Sequence, residues 1–212
     1  MLRVFKRATK RKVFGIGRNK TGTTSLREAL REMGMRVAPQ APAEKLVGDW
    51  AKRDFRKLIQ LCHSYDVFQD VPFSLPYTFE ILDHEFPNSK FILTVRESAD
   101  VWFDSLVRFH SKLFGDGNLP TWKDLERATY LYRGFMAEAH RQIYAADQFG
   151  LYNRERYIEH YESHNATVRD YFRYRPNDLL ILNVSDPDSM ARLCSFLDVP
   201  FTNQSFPWVN KT

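Results

Sequence analysis

The sequence has few cysteines and no hydrophobic segment long enough to span a membrane. Only Cys62 and Cys194 occur among the 212 residues, and both fall in apolar helical patterns, which favours reduced core residues over a disulfide or a metal site. No run approaches the roughly 20 apolar residues of a transmembrane helix, and no apolar signal segment is present. These absences exclude a disulfide-stapled scaffold and predict a soluble, cytoplasmic protein.

The net positive charge is concentrated at the start of the chain. Six of the 31 basic side chains and none of the 26 acidic ones lie in residues 1–12, which leaves 25 basic and 26 acidic side chains in the other 200 residues. A nearly neutral body carries no electrostatic footprint for nucleic acid, so no nucleic-acid partner is expected. We interpret residues 1–12 as a basic, solvated N-terminal arm and residues 13–212 as a single domain, without a signal for any oligomeric state.

Short apolar runs alternate with helical patterns along the whole chain. The patterns predict long helices over residues 43–64 and 122–149, a brief strand at 35–38, and buried strands near residues 13–16, 67–70, 91–95 and 179–184. This alternation predicts an α/β fold of three layers, in which a parallel sheet is covered by helices on both faces. Ligands of such sheets bind beyond the carboxyl ends of the strands, where Asp70 and Arg96 are expected.

A phosphate-sized loop lies between the first predicted strand and the first helix. The helix is indicated by apolar residues at i, i+3, i+4 and i+7, beginning with Leu26. Unpaired N–H groups and the positive dipole end make such a helix start an anion site that needs no metal. Gly17 and Gly22 have the spacing of a nucleotide-binding P-loop, but Thr23 follows Gly22 and the lysine is Lys20. The loop is therefore P-loop-like, with its cation in a different place.

Lys20-Thr21-Gly22-Thr23-Thr24 resembles the K-x-G-T-T loop of sulfotransferases that use 3′-phosphoadenosine 5′-phosphosulfate (PAPS). Arg96 at a strand end, with Ser105 nine residues later, resembles the pair that binds the 3′-phosphate of PAPS in that family. Many members have Arg-Asn-Pro or Arg-Asp-Pro with the serine eight residues on, whereas this chain has Arg96-Glu97-Ser98. The segment 206–212 is similar to the tail of a bacterial-type group, and it makes Lys211 a candidate contact for the 3′-phosphate.

The resemblance implies an activity and a set of donor contacts. It implies in-line transfer of a sulfuryl group from PAPS to a hydroxyl or amine of a small-molecule or carbohydrate acceptor, with 3′,5′-bisphosphoadenosine as product and no metal. It places Lys20 on the bridging oxygen, where negative charge grows during transfer. The 5′-phosphosulfate would be held by residues of the loop and the first helical turn, namely Thr21, Gly22, Thr23, Thr24 and Ser25.

Removal of the acceptor's proton calls for a general base, and two residues are candidates. Asp70 ends the strand expected beside the loop, and related enzymes carry an acidic residue at a comparable strand end. Asp70 could instead cap the turn before Pro72. His110 is the second candidate, although a lone histidine on a helix is more often a packing residue. The aromatic residues between 122 and 149 favour core packing over an acceptor wall.

Two other functions fit parts of the sequence. A P-loop nucleotide kinase or other phosphotransferase that uses magnesium-ATP would have the same kind of loop, with Asp70 holding the magnesium ion. A non-catalytic nucleotide- or polyanion-binding module would depend on the basic arm of residues 1–12. Only the resemblance to the sulfotransferases uses both Lys20 and Arg96.

Overall fold

The fold is known from a computed structural model that describes residues 11–201 and 205–207. Four short strands and eleven helices make up this part of the chain. In chain order the elements are β1 (Val13–Gly15), α1 (Thr23–Glu32), α2 (Gln40–Glu44), α3 (Val47–Ala51), α4 (Arg56–Cys62), β2 (Val67–Gln69), α5 (Thr78–Glu85), β3 (Lys90–Thr94), α6 (Ala99–Phe114), α7 (Trp122–Arg127), α8 (Phe135–Tyr144), α9 (Ala146–Phe149), α10 (Arg154–Tyr171), β4 (Leu179–Leu182) and α11 (Ser189–Phe196).

The four strands form one parallel sheet in the order β2-β1-β3-β4. In the register, Phe14 of β1 lies opposite Phe68 of β2 and Phe91 of β3. Strand β1 is therefore central, and the loop that follows it emerges between the ends of its two neighbours. Because all strands run the same way, their carboxyl ends meet at one edge of the sheet.

Helices cover both faces of this sheet. Along β3, Phe91 and Leu93 pack on one side with α4, α5 and α10, whereas Ile92 packs on the other side with α1 and α11. The alternation follows from the twofold side-chain period of a strand. Residues on both faces are fully buried, as a strand between two helical layers requires. The predicted three-layer α/β fold is confirmed.

A further group of helices stands beside the carboxyl edge of the sheet. Trp102 of α6 stacks on Tyr161 of α10 with ring centroids 4.6 Å apart. Tyr144, the last residue of α8, stacks on Tyr157 of α10 at 3.9 Å. All four rings are buried, and they join α6 and α8 to α10 through one aromatic cluster.

The long helix predicted over residues 43–64 is wrong, because that segment forms the short helices α2, α3 and α4. Helix α3 ends where Arg53 adopts a left-handed backbone with a φ of 59°. Just before α4, the carboxylate of Asp54 accepts a hydrogen bond from the backbone N–H of Arg56 at 3.1 Å. Aspartate is well suited to such a local hydrogen bond, which competes with helix continuation.

The long helix predicted over residues 122–149 is also interrupted. Helix α7 ends where Ala128 leaves the helical backbone with a ψ of 135°, and Gly134, with a φ of 87°, begins α8. Ala145, with a φ of 51°, separates α8 from α9. The brief strand expected at residues 35–38 is reduced to a single parallel bridge between Val37 and Val67. In each case the local backbone conformation, and not the apolar pattern, determines where the helix or strand ends.

Most of the predicted N-terminal arm, residues 1–10, lies outside the described residues. Its last residue, Lys12, is joined to the body of the protein. The Lys12 ammonium donates to the carbonyl of Tyr65 at 2.8 Å, and the Lys12 carbonyl accepts from the N–H of Lys90 at 2.8 Å. The division into an arm of residues 1–12 and a domain of residues 13–212 stays a prediction. None of the described helices is long and apolar enough to cross a membrane.

Replacing Gly17 by alanine is expected to destabilise the fold. A Cβ atom at this position would lie 2.4 Å from the carbonyl oxygen and 2.5 Å from the nitrogen of Thr94, so the backbone of β3 would have to shift. We expect the free energy of unfolding, measured by chemical denaturation, to fall by about 1–3 kcal/mol or more.

Gly48→Ala in α3 is the matched control for this variant. The nearest atom to a Cβ there is a carboxylate oxygen of Glu138 at 3.6 Å, an ordinary contact. Removing a helical glycine should leave the stability unchanged or raise it by up to about 1 kcal/mol. Equal unfolding free energies for the two variants would contradict the tight contact at Gly17.

Candidate active site

The loop after β1 ends in an anion-binding arrangement at the start of α1. Gly22 is the N-cap of α1 and has a φ of 94°. The backbone N–H groups of Gly22, Thr23, Thr24 and Ser25 make no hydrogen bond to any described residue. A Cβ on Gly22 would lie 2.3 Å from a methyl group of Val184, so both the backbone angle and the space require glycine. Four unpaired donors at the positive end of a helix form a site for phosphate or sulfate.

Hydrogen bonds hold the middle of the loop in place. The buried hydroxyl of Thr21 is bonded to the carbonyl of Arg18 and lies 2.6 Å from the hydroxyl of Thr94 at the end of β3. The carbonyl of Asn19 accepts from the indole N–H of Trp102 in α6 at 2.8 Å. The Thr21 side chain therefore supports the loop from beneath and leaves the anion to the backbone of the next residues.

Lys20 presents its ammonium group beside the helix start. The Lys20 carbonyl accepts from the guanidinium Nε of Arg96 at 2.7 Å, and its Nζ lies 3.7 Å from the ring centroid of Phe109. Burial lowers the pKa of Lys20 to about 8; the charge of Arg96 acts in the same direction and that of Asp70 opposes it. The ammonium packs on an aromatic face, and a bound anion would stabilise its charged form.

Asp70 follows β2 and is tied to the start of α1. Its Oδ2 accepts from the hydroxyl of Thr23 at 2.8 Å, and its Oδ1 accepts from the N–H of Val71 at 2.8 Å. Burial raises the pKa of the Asp70 carboxyl above its usual value, against these two hydrogen bonds and the charges of Arg18 and Lys20. The carboxylate thus caps the turn before Pro72 and also faces the loop, so the two interpretations of its role are compatible.

His110 lies on α6 and is buried. Its Nδ1 is 3.1 Å from the hydroxyl of Tyr152, and its ring packs edge-on against that of His140. Burial lowers the pKa of His110 well below its usual value, and the nearby His140 and Lys20 act in the same direction. An imidazole in this environment is a weaker base than an ordinary histidine.

The residues assigned to the 3′-phosphate of the donor lie in different places. Arg96 lines the same cavity as Lys20. Ser105 is 2% exposed on α6, and its hydroxyl has no hydrogen-bond partner among the described residues. It shares a helix face with Trp102 and Phe109, both of which contact the loop. Lys211 lies outside the described residues.

A single cavity joins the loop to the neighbouring helices. It is concave and partly open to solvent, as sites for small molecules are. Lys20, Asp70, Arg96 and His110 all line it. Five aromatic side chains line it as well, namely Phe109, Phe114, Tyr130, Phe135 and Tyr144. Phe135 and Tyr144 are also buried, so the aromatic residues between 122 and 149 contribute to both core and wall.

The sequence reasoning missed Arg18, which is 1% exposed and lines the cavity. Its guanidinium donates to the carbonyl of Ser74 at 3.1 Å and to the hydroxyl of Tyr144 at 2.9 Å. It forms no ion pair with any described residue. A buried cation without a carboxylate partner adds positive potential to the site. The position of Arg18 in the loop, two residues before Lys20, was the one feature of the sequence that indicated a place at the site.

The sequence reasoning also missed Glu44, the last residue of α2. One of its oxygens accepts from the side-chain amide of Gln40 at 3.2 Å and lies 3.5 Å from the hydroxyl of Tyr130. Burial, together with the charge of Asp70, raises the pKa of Glu44 to about 7. Nothing local distinguishes Glu44 from a surface acid, because its contact with Tyr130, in the connection between α7 and α8, comes from far along the chain.

These groups provide an anion cradle, three cations and two carboxylates around one cavity. Within residues 11–201 and 205–207, no group of three or more histidine, cysteine, aspartate or glutamate side chains is placed to hold a metal ion. Positive charge near the loop comes from Arg18, Lys20 and Arg96. The arrangement can bind a phosphorylated or sulfated ligand and accept a proton from a second molecule.

Comparison with known proteins assigns the chain to a family. A family model described as "Sulfotransferase domain" matches residues 12–212. This region contains the loop, both candidate bases and every residue that lines the cavity. A search of curated proteins found no match to the chain.

Asp70→Asn is expected to stabilise the unliganded protein. Burial raises the folded-state pKa of Asp70, so the ionised carboxyl costs stability at pH values above its unfolded pKa, and this cost is relieved as the pH falls. The asparagine Oδ1 can still accept from the N–H of Val71, and its Nδ2 can donate to the Thr23 hydroxyl, which reverses the direction of that bond. Asparagine also tolerates the φ of 64°. The gain in melting temperature should be largest near pH 8 and shrink toward pH 4.

Asp116→Asn controls for the backbone preference of asparagine. Asp116 has a φ of 48° but is exposed, so its substitution should change the melting temperature little at any pH. A melting temperature of Asp70→Asn below that of the unsubstituted protein at pH 8 would show that burial does not penalise the ionised carboxyl.

Proposed function

The chain belongs to the sulfotransferase family, and from this membership we propose that it transfers a sulfuryl group from PAPS to a small-molecule acceptor. Membership makes the protein a transferase; the donor and the site residues are the proposed part. The observation that carries the proposal is the row of unpaired backbone N–H groups from Gly22 to Ser25, with the cations of Lys20 and Arg96 on the same cavity.

The residues around the loop fit the donor. The N–H groups from Gly22 to Ser25, with the hydroxyl of Thr24, would hold the 5′-phosphosulfate. Thr23 would contribute through its N–H group alone, since its hydroxyl donates its one proton to Asp70. Arg96 would bind the 3′-phosphate, with Ser105 and Lys211 as the further contacts that the family resemblance implies. When bound, the donor supplies a sulfuryl group whose S–O bond to the 5′-phosphate breaks as a bond to the acceptor forms, which releases 3′,5′-bisphosphoadenosine.

Lys20 would stabilise the charge that develops on the departing phosphate oxygen. A fixed cation that faces the developing charge in a desolvated site lowers the barrier, as it does in phosphoryl transfer. The start of α1 adds its dipole to the same place. The positive charge is therefore supplied by protein groups, and the proposal includes no metal.

Asp70 would accept the proton of the acceptor's hydroxyl or amine. Its raised pKa makes it a stronger base than an ordinary aspartate, and its hydrogen bond to Thr23 holds it beside the loop. His110 is the second candidate, since it lines the same cavity. Its lowered pKa makes it the weaker one.

Family membership favours sulfuryl transfer over the phosphotransferase alternative. That alternative requires magnesium-ATP, with Asp70 as a ligand of the magnesium ion, and calorimetric titration separates the two donors.

We also propose a cytoplasmic location, which the unpaired state of Cys62 and Cys194 supports. Whether the acceptor is a carbohydrate or another small molecule is addressed by screening acceptors with labelled PAPS.

Lys20→Met should abolish most turnover and leave donor affinity nearly intact. The lysine charge matters most in the transition state, so kcat should fall about 10²–10³-fold. The affinity for 3′,5′-bisphosphoadenosine without magnesium, measured by calorimetry, should change less than about tenfold. With the unsubstituted protein, kcat/KM for the donor should fall as the pH rises through about 8, where unliganded Lys20 loses its charge.

Lys112→Met, on the exposed side of α6, is the control for the loss of one lysine and should behave like the unsubstituted protein. Unchanged turnover of Lys20→Met would remove Lys20 from the mechanism. Tighter binding of magnesium-ATP than of 3′,5′-bisphosphoadenosine would replace the proposal with the phosphotransferase.

Substitution of the two candidate bases assigns the proton transfer. Asp70→Asn should keep its affinity for 3′,5′-bisphosphoadenosine and lose about 10²–10⁴-fold in kcat with a saturating acceptor. His110→Gln, which can keep one hydrogen bond to Tyr152, should retain kcat within about tenfold. The opposite pattern, with Asp70→Asn active and His110→Gln inactive, transfers the base role to His110.

A further inference from the structure

The cavity contains a carboxylate oxygen that no described residue uses. Oε1 of Glu44 accepts from Gln40 and faces Tyr130, whereas Oε2 accepts no hydrogen bond from the described residues. Glu44 also forms no ion pair with them. Since Glu44 lines the cavity, a ligand in the cavity can approach the free oxygen. A half-buried carboxylate without a cation is costly unless a ligand supplies the partner.

One aromatic ring, that of Tyr130, lies next to this carboxylate, and two others pack against it. The ring of Tyr130 lies 6.2 Å from that of Phe114, edge-on, and 6.2 Å from that of Phe135, stacked. All three line the cavity together with Glu44. Aromatic faces attract cations, and amine-binding sites commonly combine several rings. A carboxylate beside such rings is complementary to an ammonium group.

Gln40 links Glu44 to the candidate base. Its side-chain amide donates both to Glu44 and to the carbonyl of Val71, the residue after Asp70, at 3.2 and 3.1 Å. Its side-chain oxygen accepts from Gln69 at 2.8 Å, which fixes its orientation at the end of β2. Glu44 and Asp70 are close enough for the charge of Asp70 to disfavour ionisation of Glu44. A cation between them would relieve this repulsion.

We propose that Glu44, Phe114, Tyr130 and Phe135 form an ammonium subsite and that the acceptor is a hydroxylated amine, whose ammonium group binds there while its hydroxyl faces Asp70. The proposal rests on the proposed function for the fate of the hydroxyl, but binding of the amine can be measured without turnover. The three cations of the site, Arg18, Lys20 and Arg96, are left to the donor and its loop. The two ends of the cavity thus have opposite preferences for charge.

Two probes of equal size test the subsite. Tyramine carries an ammonium group where 4-propylphenol carries a methyl group, and both present a phenolic hydroxyl. Calorimetric titrations at pH 8, where the Glu44 carboxyl is mostly ionised, measure both probes with 3′,5′-bisphosphoadenosine present and absent. We expect the protein to bind tyramine at least about tenfold more tightly, and Glu44→Gln to bind the two probes about equally, with its affinity for 4-propylphenol unchanged.

Glu85→Gln, at the end of α5 and exposed, is the matched control and should keep the preference for tyramine. Tyr130→Leu provides a second variant, because Tyr130 is half-exposed and its loss need not disturb the core. It should weaken tyramine binding more than 4-propylphenol binding. Equal binding of the two probes by the unsubstituted protein, or an unchanged preference in Glu44→Gln, would overturn the ammonium subsite.

The same titrations separate this proposal from the proposed function. Sulfation of 4-propylphenol by PAPS without any preference for tyramine would leave the sulfotransferase activity standing and remove the ammonium subsite. Failure to bind 3′,5′-bisphosphoadenosine, with the preference for tyramine retained, would contradict the proposed sulfotransferase activity and support the ammonium subsite. Transfer to tyramine with a lower KM than to 4-propylphenol, lost in Glu44→Gln, supports both.

Discussion

The close contact between the loop after β1 and the end of β3 is the constraint on which the site depends. Gly17 lies so near the backbone of Thr94 that no side chain fits, and Thr21 is bonded to the hydroxyl of the same threonine. The loop therefore cannot move relative to the sheet without opening the contact between β1 and β3. Arg96 follows Thr94 by two residues and holds the carbonyl of Lys20, so one contact positions the anion cradle and two of the three cations of the site.

Much of this arrangement could be predicted because it depends on short segments and on topology. The alternation of apolar runs and helical patterns is local, and it led to the parallel sheet with helices on both faces. Once the strands are parallel, the residues that follow them must share an edge, and Lys20, Asp70 and Arg96 do line one cavity.

The rest could not be predicted because it depends on contacts between distant segments or on unusual backbone angles. Arg53 and Ala145 end helices with a positive φ, which few residues other than glycine adopt, so nothing in the apolar pattern marks these breaks. Glu44 becomes part of the site only because Tyr130, far along the chain, packs over it. An arginine near a turn is usually exposed, whereas Arg18 is buried against Tyr144, a residue far along the chain.

The left-handed backbone at Lys20 and Asp70, with φ values of 67° and 64°, has a consequence for how this enzyme can diversify. Side chains branched at Cβ are strongly disfavoured at such angles, so few substitutions are accessible at either position even where the chemistry would allow them. Glu44, Tyr130 and Phe135 are not among the described residues with a positive φ, and their replacement carries no such backbone penalty. With the roles proposed above, gene duplicates of this chain could therefore change their acceptor one substitution at a time while Lys20 and Asp70 are inherited unchanged.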